Sequence, residues 1–492
     1  MSNNEGKTQP QSFFYRLRSI DAILGERKEL ENQEIYFCPP DQLNDPMEGY
    51  KDLFWWGDEI VWRNLLKHYL ACLTQSLLTA FILREDYDPH LARNFVFTTP
   101  STLPTEQLKG LHRRVCDIFF GLNRLARLPA MLAARTSALR REEVEFCLRA
   151  VHGVALKCVK TILCEEGRWP SVNETSSVPQ FTEEDIRVLE NLFKVLDGLK
   201  EHQVESKPEL MGALFGASAR INRQMDLIRY CGFTDDLSRA WHPIFYSFPE
   251  HYVDSLRDLV YFNWYAACFV TDPTHAAMWG HYGDAHKGIC LKFRAEEREG
   301  QPSVLKLHGI KGWQGCPNGG GPVYGDIPLS FEQIIYTDKL PEIDFFRSIG
   351  RFPVPVLQSQ WYTDEQGNSS ACAEDVFEHM SDWHKRYWES FRQLAFTKLQ
   401  DWRYEGEYRL TLMPSLDFFS EAKDRKLRYR FSDLEGIIFG IRTPLAKKAR
   451  IIDIVAAKCK AEGRKSFAFS QAVYNAHNGR IEAHPLDLIR FE

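Results

Sequence analysis

Apolar residues recur at helical spacing through the middle of the 492-residue chain. The stretches 106–125 and 141–164 each carry an apolar stripe with the period of a helix that packs on one side. A third stripe follows a capping-box-like start at Thr182 and Asp185. It comprises Ile186, Leu189, Phe193, Leu196 and Leu199. The pattern therefore predicts long helices between about residues 60 and 250.

The pattern changes to short strands on either side of this helical region. "FFYRLRS" (13–19) and the proline-ended "EIYFCPP" (34–40) have the aromatic and apolar composition of strands. Between them, residues 20–30 have helical spacing, with Ser19 as the N-cap. The polar stretch 41–50 is predicted to be a turn. Further strands are predicted at 265–270, 288–293, 402–410, 434–444 and 466–474.

Three other segments complete the pattern. A helix is predicted to begin with Asp272 as N-cap and Pro273 as first residue, and to stop at Gly283. A second helix is predicted over 379–398. The glycine-rich stretch 312–325 is predicted to be flexible.

These elements predict an α+β protein with an interrupted core. Residues 1–12 form a disordered lead. Residues 13–60 and 255–492 form a core domain with a mixed or antiparallel β-sheet. Residues 61–254 form a large helical insertion into that core.

Composition narrows the class of protein. A hydrophobic content of 44% and a charged content of 26% are typical of a soluble globular chain. The net charge of −6 argues against a surface that binds nucleic acid or lipid as a whole. No apolar run indicates a membrane-spanning helix or a signal peptide, so no membrane partner is expected. Twelve cysteines without a CxxC pair predict reduced thiols and a cytoplasmic location.

The segment "WRYEGEYRL" (402–410) combines apolar and charged residues in the pattern of one strand. One face of this strand would carry two carboxylates and two guanidiniums, namely Arg403, Glu405, Glu407 and Arg409. Neighbouring carboxylates oppose each other's ionisation. The row therefore suits a general base, the stabilisation of an oxocarbenium-like transition state, or metal binding. A solvated strand face with cross-strand ion pairs would give the same pattern.

Two arginines, Arg16 and Arg18, fall on one face of the first predicted strand. A guanidinium donates two hydrogen bonds to paired oxygens, so these side chains suit phosphate or pyrophosphate binding. Pairing with acidic residues such as Glu405 and Glu407 would also account for them.

The segment "MWGHYGDAHKG" (278–288) carries planar and polar side chains at the end of a predicted helix. Trp279 and Tyr282 offer aromatic faces to a ligand, although a helix packed into the core would also need Trp279. Polar groups follow at His281, Asp284, His286 and Lys287. The histidines do not match a zinc spacing such as HExxH, so no bound metal is expected.

A turn is predicted at "LNDPMEG", where Asn44 and Asp45 precede a proline. These two side chains could belong to a site, or they could bond the backbone of their own turn.

The helical insertion contains a basic stretch. Residues 101–168 hold 12 Lys or Arg and 7 Asp or Glu. These cations could line a groove for a nucleic acid or another polyanion, or they could lie on solvated helix faces.

At several of these segments the chain resembles the bacterial domain of unknown function 2971 family. The resemblance rests on "FYRLRS", "IYFCPPDQLNDPMEG", "ACFVTD", "HAAMWGHYGDAHKGICLKF", "FTKLQDWRYEGEYRL" and "IIFGIRT". The family name implies no activity.

The order of elements is similar to that of ADP-ribosyltransferases of the Arg–Ser–Glu type, although the Ser-Thr-Ser segment is absent. The resemblance implies that Arg16 or Arg18 holds the phosphates of NAD, the substrate. Tyr282 or Trp279 would then stack near the nicotinamide. Glu407 would be the catalytic carboxylate, and Glu405 would orient the acceptor.

Three functions are therefore open. The first is an ADP-ribosyltransferase or NAD glycohydrolase whose protein or nucleic-acid acceptor binds the helical insertion. The second is a metal-dependent nuclease or phosphoesterase, with Lys287 or Arg409 on the phosphate. Its magnesium ligands would be Asp45, Glu48, Glu405 and Glu407. The third is a non-enzymatic module that senses a phosphorylated ligand through Arg16 and His286.

Overall fold

The computed structural model describes residues 13–86, 95–169, 183–201, 207–298, 300–316, 319–414 and 418–491. The chain divides into two compact units. Unit 1 comprises Met1–Tyr50, Asn263–Leu340 and Arg392–Glu492, and unit 2 comprises Lys51–Phe262 and Pro341–Phe391. Residues 341–391, which the sequence analysis assigned to the core domain, thus belong to unit 2. The predicted lead, residues 1–12, lies outside the described residues.

The strands and the helices are each numbered in chain order. The strands are β1 (Phe13–Arg18), β2 (Glu34–Tyr36), β3 (Asp52–Trp55), β4 (Leu139–Arg140), β5 (Tyr265–Val270), β6 (Ile289–Arg294), β7 (Glu296–Arg298), β8 (Gln301–Cys316), β9 (Gly319–Ser330), β10 (Glu332–Gln333), β11 (Ile335–Thr337), β12 (Glu342–Asp344), β13 (Thr397–Leu399), β14 (Glu407–Leu412), β15 (Lys426–Tyr429), β16 (Leu434–Phe439), β17 (Ala468–Asn475) and β18 (Arg480–Pro485).

The helices are α1 (Ile20–Leu24), α2 (Glu29–Asn32), α3 (Glu59–Leu83), α4 (Glu106–Gly121), α5 (Asn123–Ala126), α6 (Leu128–Ala133), α7 (Arg141–Glu165), α8 (Glu183–Glu201), α9 (Lys207–Gly232), α10 (Asp236–His242), α11 (Phe248–Leu256), α12 (Ala276–His281), α13 (Phe345–Ser348), α14 (Val354–Trp361), α15 (Ala371–Ala373), α16 (Met380–Ala395) and α17 (Leu445–Glu462). The helices predicted over 106–125, 141–164 and 379–398 correspond to α4, α7 and α16.

Unit 1 is built on an eight-stranded sheet with the order β10-β14-β5-β1-β6-β16-β17-β18. Neighbouring strands are antiparallel except β16 and β17, which are parallel. A second sheet has the order β2-β15-β8-β7, with β9 paired to β8. The prediction of an α+β fold with a mixed or antiparallel sheet is confirmed.

The strand register fixes which side chains share a face of the large sheet. Tyr15 and Glu407 both pair with Val270, and directly paired residues project to the same side. Arg16 alternates to the other side, where its guanidinium lies over the ring of Phe269. The two sides therefore carry different chemistry.

Each side of the sheet packs on its own apolar core. The larger core includes Phe14 and Phe269, and Phe14 stacks on Phe331 with ring centroids 3.7 Å apart. The smaller core includes Leu17, Met278, Trp279 and Ile438, and it lies on the side of Glu407. Each such buried side chain contributes about 1.5–3 kcal/mol relative to exposure, so the strand alternation fixes the register.

The local capping prediction near the N-terminus is confirmed, but the helix is shorter than predicted. The Ser19 hydroxyl accepts a hydrogen bond from the Ala22 N–H at 3.2 Å, so Ser19 is the N-cap of α1. The helix ends at Leu24 because the chain departs from helical dihedrals at Gly25. Residues 20–30 thus form two short helices, α1 and the start of α2.

Two other segments differ from the sequence prediction, the start of α12 and the glycine-rich stretch. Asp272 caps no helix, because its carboxylate accepts the Thr274 N–H within a turn, and α12 begins only at Ala276. The described residues of the glycine-rich stretch, 312–316 and 319–325, lie in the paired strands β8 and β9. Backbone pairing across the hairpin outweighs the low strand propensity of its glycines.

Unit 2 contains long helices and a three-stranded sheet with the order β12-β3-β4. Its helix α3 has Asp58 as N-cap, and the Asp58 carboxylate accepts hydrogen bonds from the N–H groups of Ile60 and Val61. By length and composition α3 is apolar enough to cross a membrane, but 72% of its most apolar window is buried. This burial is compatible with the core helix of a soluble protein.

The basic stretch of unit 2 is largely neutralised by neighbouring carboxylates. Arg135, for example, lies 3.3 Å from Glu143 and 3.1 Å from Asp197. The other ion pairs of this stretch are Arg114 with Glu165 and Glu166, Arg127 with Glu190, Arg140 with Glu342 and Arg141 with Asp254. Binding of a nucleic acid or protein by these helices stays a prediction.

A strained turn connects α12 to β6. Asp284, Ala285 and His286 have φ values of 52°, 50° and 68°, which L-residues rarely adopt. The Arg442 N–H donates to the His286 carbonyl at 2.9 Å, so the turn docks on the segment after β16. A Cβ at Gly440 would lie 2.4 Å from the same carbonyl oxygen.

Gly440→Ala is therefore expected to lower the free energy of unfolding by about 1–3 kcal/mol, since the turn and the loop must separate. Urea denaturation measures this loss. Gly110→Ala in α4 is the control, because nothing lies within 4 Å of the added methyl and alanine favours a helix. Equal stabilities of the two variants would contradict the prediction.

Candidate functional site

The prediction of a strand over residues 402–410 is wrong for its first half. The observed structure of this half brings the site residues together. Residues Gln400–Glu405 form a 3₁₀ helix that ends at Gly406, whose φ of 53° is left-handed. Strand β14 begins only at Glu407. The chain therefore turns between Glu405 and Glu407, and their side chains converge from two directions.

The two carboxylates meet on the ammonium of Lys398, in β13. Lys398 Nζ lies 2.7 Å from Glu405 Oε2 and 3.2 Å from Glu407 Oε2. A third carboxylate, Glu48 Oε2, lies 3.6 Å from the same nitrogen. All four side chains are 4% exposed or less, so water screens these charges weakly.

Arg409 supplies the second cation of the cluster. Its Nε donates to Glu407 Oε1 at 2.7 Å, and its Nη2 lies 2.6 Å from Glu48 Oε1. Its Nη1 donates to the carbonyl of Ala395 at 2.7 Å. Because Arg409 is fully buried, these partners replace the water that it loses.

The predicted turn at Asn44 and Asp45 places Glu48 in the cluster. The Asp45 carboxylate accepts the Met47 N–H at 2.9 Å, and the Glu48 N–H donates to the Asp45 carbonyl. The Asn44 side chain is exposed. The Asp45 side chain thus bonds the backbone of its own turn, while the carboxylate of Glu48, three residues later, reaches the buried charges.

A pocket opens beside the two carboxylates. Its cavity has a volume of about 40 Å³ and is partly open to solvent. Tyr282 lines it, and the Tyr282 hydroxyl donates to Glu405 Oε1 at 2.6 Å. The remaining lining is mainly apolar and includes Tyr15, Leu17, Val270 and Met278.

The environments of the carboxylates separate their pKa values. Burial raises the pKa of Glu405, against the opposing effect of Lys398. Burial alone would also raise the pKa of Glu407, but Arg409 and Lys398 lower it to about 2. Burial raises the pKa of Glu48 despite Arg409. Glu407 is thus held ionised, while Glu405 and Glu48 take up protons more readily.

Two tyrosines form hydrogen bonds with the residues that carry the carboxylates. Burial, reinforced by Glu405, raises the pKa of Tyr282, so its hydroxyl stays a donor. The Tyr336 hydroxyl accepts the backbone N–H of Glu407 at 2.9 Å, and burial raises its pKa to about 12. Both phenols are neutral at physiological pH.

The predicted phosphate-binding arginines lie on the opposite side of the sheet from this pocket. Arg16 is 5% exposed, and its Nη2 donates to the Tyr36 carbonyl at 3.0 Å. Burial and the neighbouring Arg18 lower the pKa of Arg16 to about 10. Arg18 forms a two-pronged ion pair with Glu29. Neither arginine can face a ligand bound beside Glu407, because the sheet lies between them.

Of the other predicted binding residues, Tyr282 lines the pocket, whereas Trp279, His286 and Lys287 do not. Trp279 is fully buried, and its Nε1 donates to the Pro273 carbonyl at 2.7 Å, so it belongs to the core. His286 lies in the strained turn, where burial and then Arg442 lower its pKa. Lys287 is exposed. Tyr282 is thus the member of the predicted binding set that lines the pocket with Glu405 and Glu407.

The predicted magnesium ligands Glu48, Glu405 and Glu407 do converge, but around an ammonium. Lys398 Nζ stands at the point that the three carboxylates share. Within the described ranges, no group of three or more His, Cys, Asp or Glu is arranged to hold a metal ion. The residues present do not fit a magnesium centre while this lysine remains.

The comparison with known families covers most of this site. Residues 278–410 match the model of a family described as "Protein of unknown function (DUF2971)". This part of the chain is similar to the DUF2971 family, and the match covers about a quarter of the 492 residues. The DUF2971 segment contains Tyr282, Lys398, Glu405 and Glu407, whereas Glu48 lies before it.

The other two comparisons give no relative from which to infer an activity. No curated protein matches the chain, and no solved structure matches it. The similarity to ADP-ribosyltransferases is therefore not shown, and the activity of the DUF2971 segment must be argued from its geometry.

Lys398 is a site residue that was not predicted, because the sequence pattern predicts one helix over residues 379–398. The helix ends at Ala395, and Lys398 lies on a short strand paired in parallel with β11. The signal for a buried lysine is weak in sequence alone. The apolar neighbours of Lys398 in "LAFTKL" are compatible with a buried strand, and they are the clue that could have located it.

Proposed function

We propose that unit 1 cleaves the N-glycosidic bond of NAD and passes the ADP-ribosyl group to water or to a macromolecular acceptor. The observation that carries this proposal is the convergence of Glu405, Glu407 and Tyr282 on one pocket. The predicted arginine clamp has no part in it, because Arg16 and Arg18 lie across the sheet.

The charge of the cluster suits a cationic transition state. Three carboxylates, those of Glu48, Glu405 and Glu407, face two cations, Lys398 and Arg409. Fully ionised, the cluster carries one excess negative charge. A buried negative charge stabilises the oxocarbenium-like ribosyl group that develops as the glycosidic bond breaks. Glu407 itself stays ionised at physiological pH, because Arg409 and Lys398 lower its pKa to about 2.

The leaving group of NAD removes the need for a general acid. As the C1′–N bond breaks, its electron pair returns to the pyridinium nitrogen and neutral nicotinamide leaves. The oxygen of water forms the new bond to C1′, and the proton that it loses passes to Glu405. The raised pKa of Glu405 suits this acceptance. Release of that proton to solvent restores the site.

The apolar wall of the pocket suits the nicotinamide ring. Tyr15 and Tyr282 provide aromatic surfaces, and Leu17 and Met278 provide apolar contacts. An aromatic face attracts a cationic ring through its quadrupole. The pyridinium ring is cationic in NAD and neutral in nicotinamide, so this attraction favours binding of the substrate over the product.

The decisive experiment incubates the purified full chain with NAD and separates the products by chromatography. We expect nicotinamide together with ADP-ribose, or with ADP-ribosylated protein or nucleic acid when a cell lysate is added. The release should persist in EDTA, in contrast to a metal-dependent phosphoesterase. Absence of nicotinamide release both with and without lysate would overturn the proposal.

Tyr282→Phe is expected to lower kcat for nicotinamide release by about 10- to 100-fold with little change in KM. The variant keeps the ring but removes the hydrogen bond to the Glu405 carboxylate, and a bond to a charged group contributes about 1.5–3 kcal/mol. Steady-state kinetics measures the effect. Tyr404→Phe is the matched control, since that side chain is 36% exposed. An equal loss in both variants would contradict the assigned role.

A further inference from the structure

We propose that Lys398 is a positioning residue, which holds Glu405 and Glu407 in the pocket wall and keeps Glu405 ready to accept a proton. This inference rests on the proposed function for its kinetic part. Its electrostatic part concerns the folded protein alone and is measured without substrate.

The position of Lys398 is unusual for a lysine. Its side chain is 2% exposed, and its Nζ lies within 3.6 Å of carboxylate oxygens from three separate segments. Those segments are the turn at residues 44–50, the end of the 3₁₀ helix and the start of β14. Among the residues that the structure describes, Lys398 and Arg409 are the cations that form ion pairs with these carboxylates.

The two cations of the cluster contact different sets of carboxylates. Arg409 contacts Glu407 and Glu48, whereas Lys398 also contacts Glu405. Glu405 has one other hydrogen bond in the described residues, the one from Tyr282. Lys398 is therefore the cation that fixes both the direction and the protonation of the Glu405 carboxyl group.

Several titratable or charged groups face Glu405 from the elements packed around it. Lys398 from β13 and Tyr282 after α12 contact the Glu405 carboxylate, and Glu407, Tyr336 and Tyr404 interact with it electrostatically. Glu48, Arg409 and Cys268 lie one contact further away, against Lys398 or Glu407. Loss of the ammonium leaves Glu405 facing two further carboxylates with Arg409 as the remaining cation. Protonation of the group becomes more favourable in that state.

The direction in which the pKa of Glu405 shifts in Lys398→Met follows from these contacts. Burial raises the pKa of Glu405, and Lys398 lowers it. In Lys398→Met this pKa rises further, so a higher pH is needed to ionise the base. The acidic limb of the pH profile for nicotinamide release should therefore move to higher pH. Lys398→Arg retains a cation and should keep the limb close to its original position, even if its larger head lowers kcat.

A role in packing alone would lower activity at all pH values without moving the limb. An unchanged limb in Lys398→Met would therefore overturn the inference. Glu435→Gln is the matched charge control, since Glu435 forms an ion pair with Arg294 at 2.8 Å at the surface. That variant should leave both the limb and kcat unchanged.

The second arm measures the free energy of urea unfolding between pH 5 and pH 8. A carboxyl whose pKa is raised in the folded protein binds more protons there than in the unfolded chain, so stability falls as pH rises through that window. The fall should be steeper in Lys398→Met than in the wild type, and Lys398→Met/Glu405→Gln should remove most of the difference. Parallel pH dependences of all three proteins would overturn the inference.

The two arms distinguish the possible failures. If the wild type releases no nicotinamide but the unfolding data show the expected slopes, the proposed function fails and the electrostatic role of Lys398 stands. If Lys398→Met does not fold at neutral pH but folds at pH 5, this also supports the inference, because protonation replaces the missing cation. If it folds at neither pH while Lys398→Met/Glu405→Gln folds, the unpaired carboxylate is the cause. If neither variant folds, packing rather than charge accounts for Lys398.

Discussion

Glu407→Gln is expected to reduce nicotinamide release by about 10³-fold, the largest effect on activity among these variants. The amide keeps the size of the side chain but removes the negative charge nearest to the developing ribosyl cation. In the wild type, Arg409 and Lys398 hold Glu407 ionised. The amide of the variant does not ionise, so no change of pH restores the charge. The measurement is kcat across pH 5 to 9, with the product separated by chromatography.

The fold should survive this substitution. Arg409 keeps its ion pair with Glu48 and its hydrogen bond to the Ala395 carbonyl. Circular dichroism and a urea titration therefore serve as the check on the variant. A folded Glu407→Gln protein with more than a tenth of the wild-type rate would show that the carboxylate does not stabilise the transition state.

Arg409→Met is expected to lower the free energy of unfolding by about 3–5 kcal/mol, the largest effect on stability. Arg409 is fully buried, and its removal leaves Glu407 and Glu48 with Lys398 as their remaining cation. The methionine fills most of the volume, so the loss reports the uncompensated carboxylates more than a cavity. Chemical denaturation at pH 7 measures it.

A double-mutant cycle with Glu48→Gln isolates the charge effect. In Arg409→Met/Glu48→Gln one of the stranded carboxylates is neutral, so the double variant should be more stable than the sum of the single losses implies. Additive losses would show that the ion pair at 2.6 Å contributes little and that Arg409 acts through packing.

The free energy of unfolding at acidic pH gives a second check on the ion pairs of this cluster. Glu407 has a lowered folded pKa, so its contribution is present above the unfolded pKa and is lost as pH falls toward about 2.

The strands of unit 1 could be predicted because their alternation is set by burial. The segments at β1, β5, β6 and β16 are each apolar runs bounded by polar or turn residues, and all four lie in the large sheet. The hairpin of β8 and β9 could not be predicted in this way. Its stability comes from pairing between two stretches of low propensity, and such pairing leaves little pattern within either stretch.

The candidate site shows where sequence reasoning reaches its limit. Alternation correctly separates Tyr15 from Arg16, but it cannot say which side of the sheet carries the pocket. Arg16 and Arg18 are predicted to bind phosphate because of their guanidinium groups. The structure instead places Tyr15 on the pocket side. Glu405 and Glu407 were selected correctly as neighbours, yet the left-handed residue Gly406 between them changes how they meet.

The origin of Glu48 in the first fifty residues has a practical consequence for dissecting the protein. A fragment cut to the borders of the family match, 278–410, would retain Arg409 but lose the carboxylate 2.6 Å from it. It would also lose β5, the strand that separates β14 from β1 in the sheet. Expression of the matched region by itself would thus give an incomplete sheet and leave Arg409 without one of its two carboxylate partners, and inactivity of such a truncation would carry no information about the intact chain.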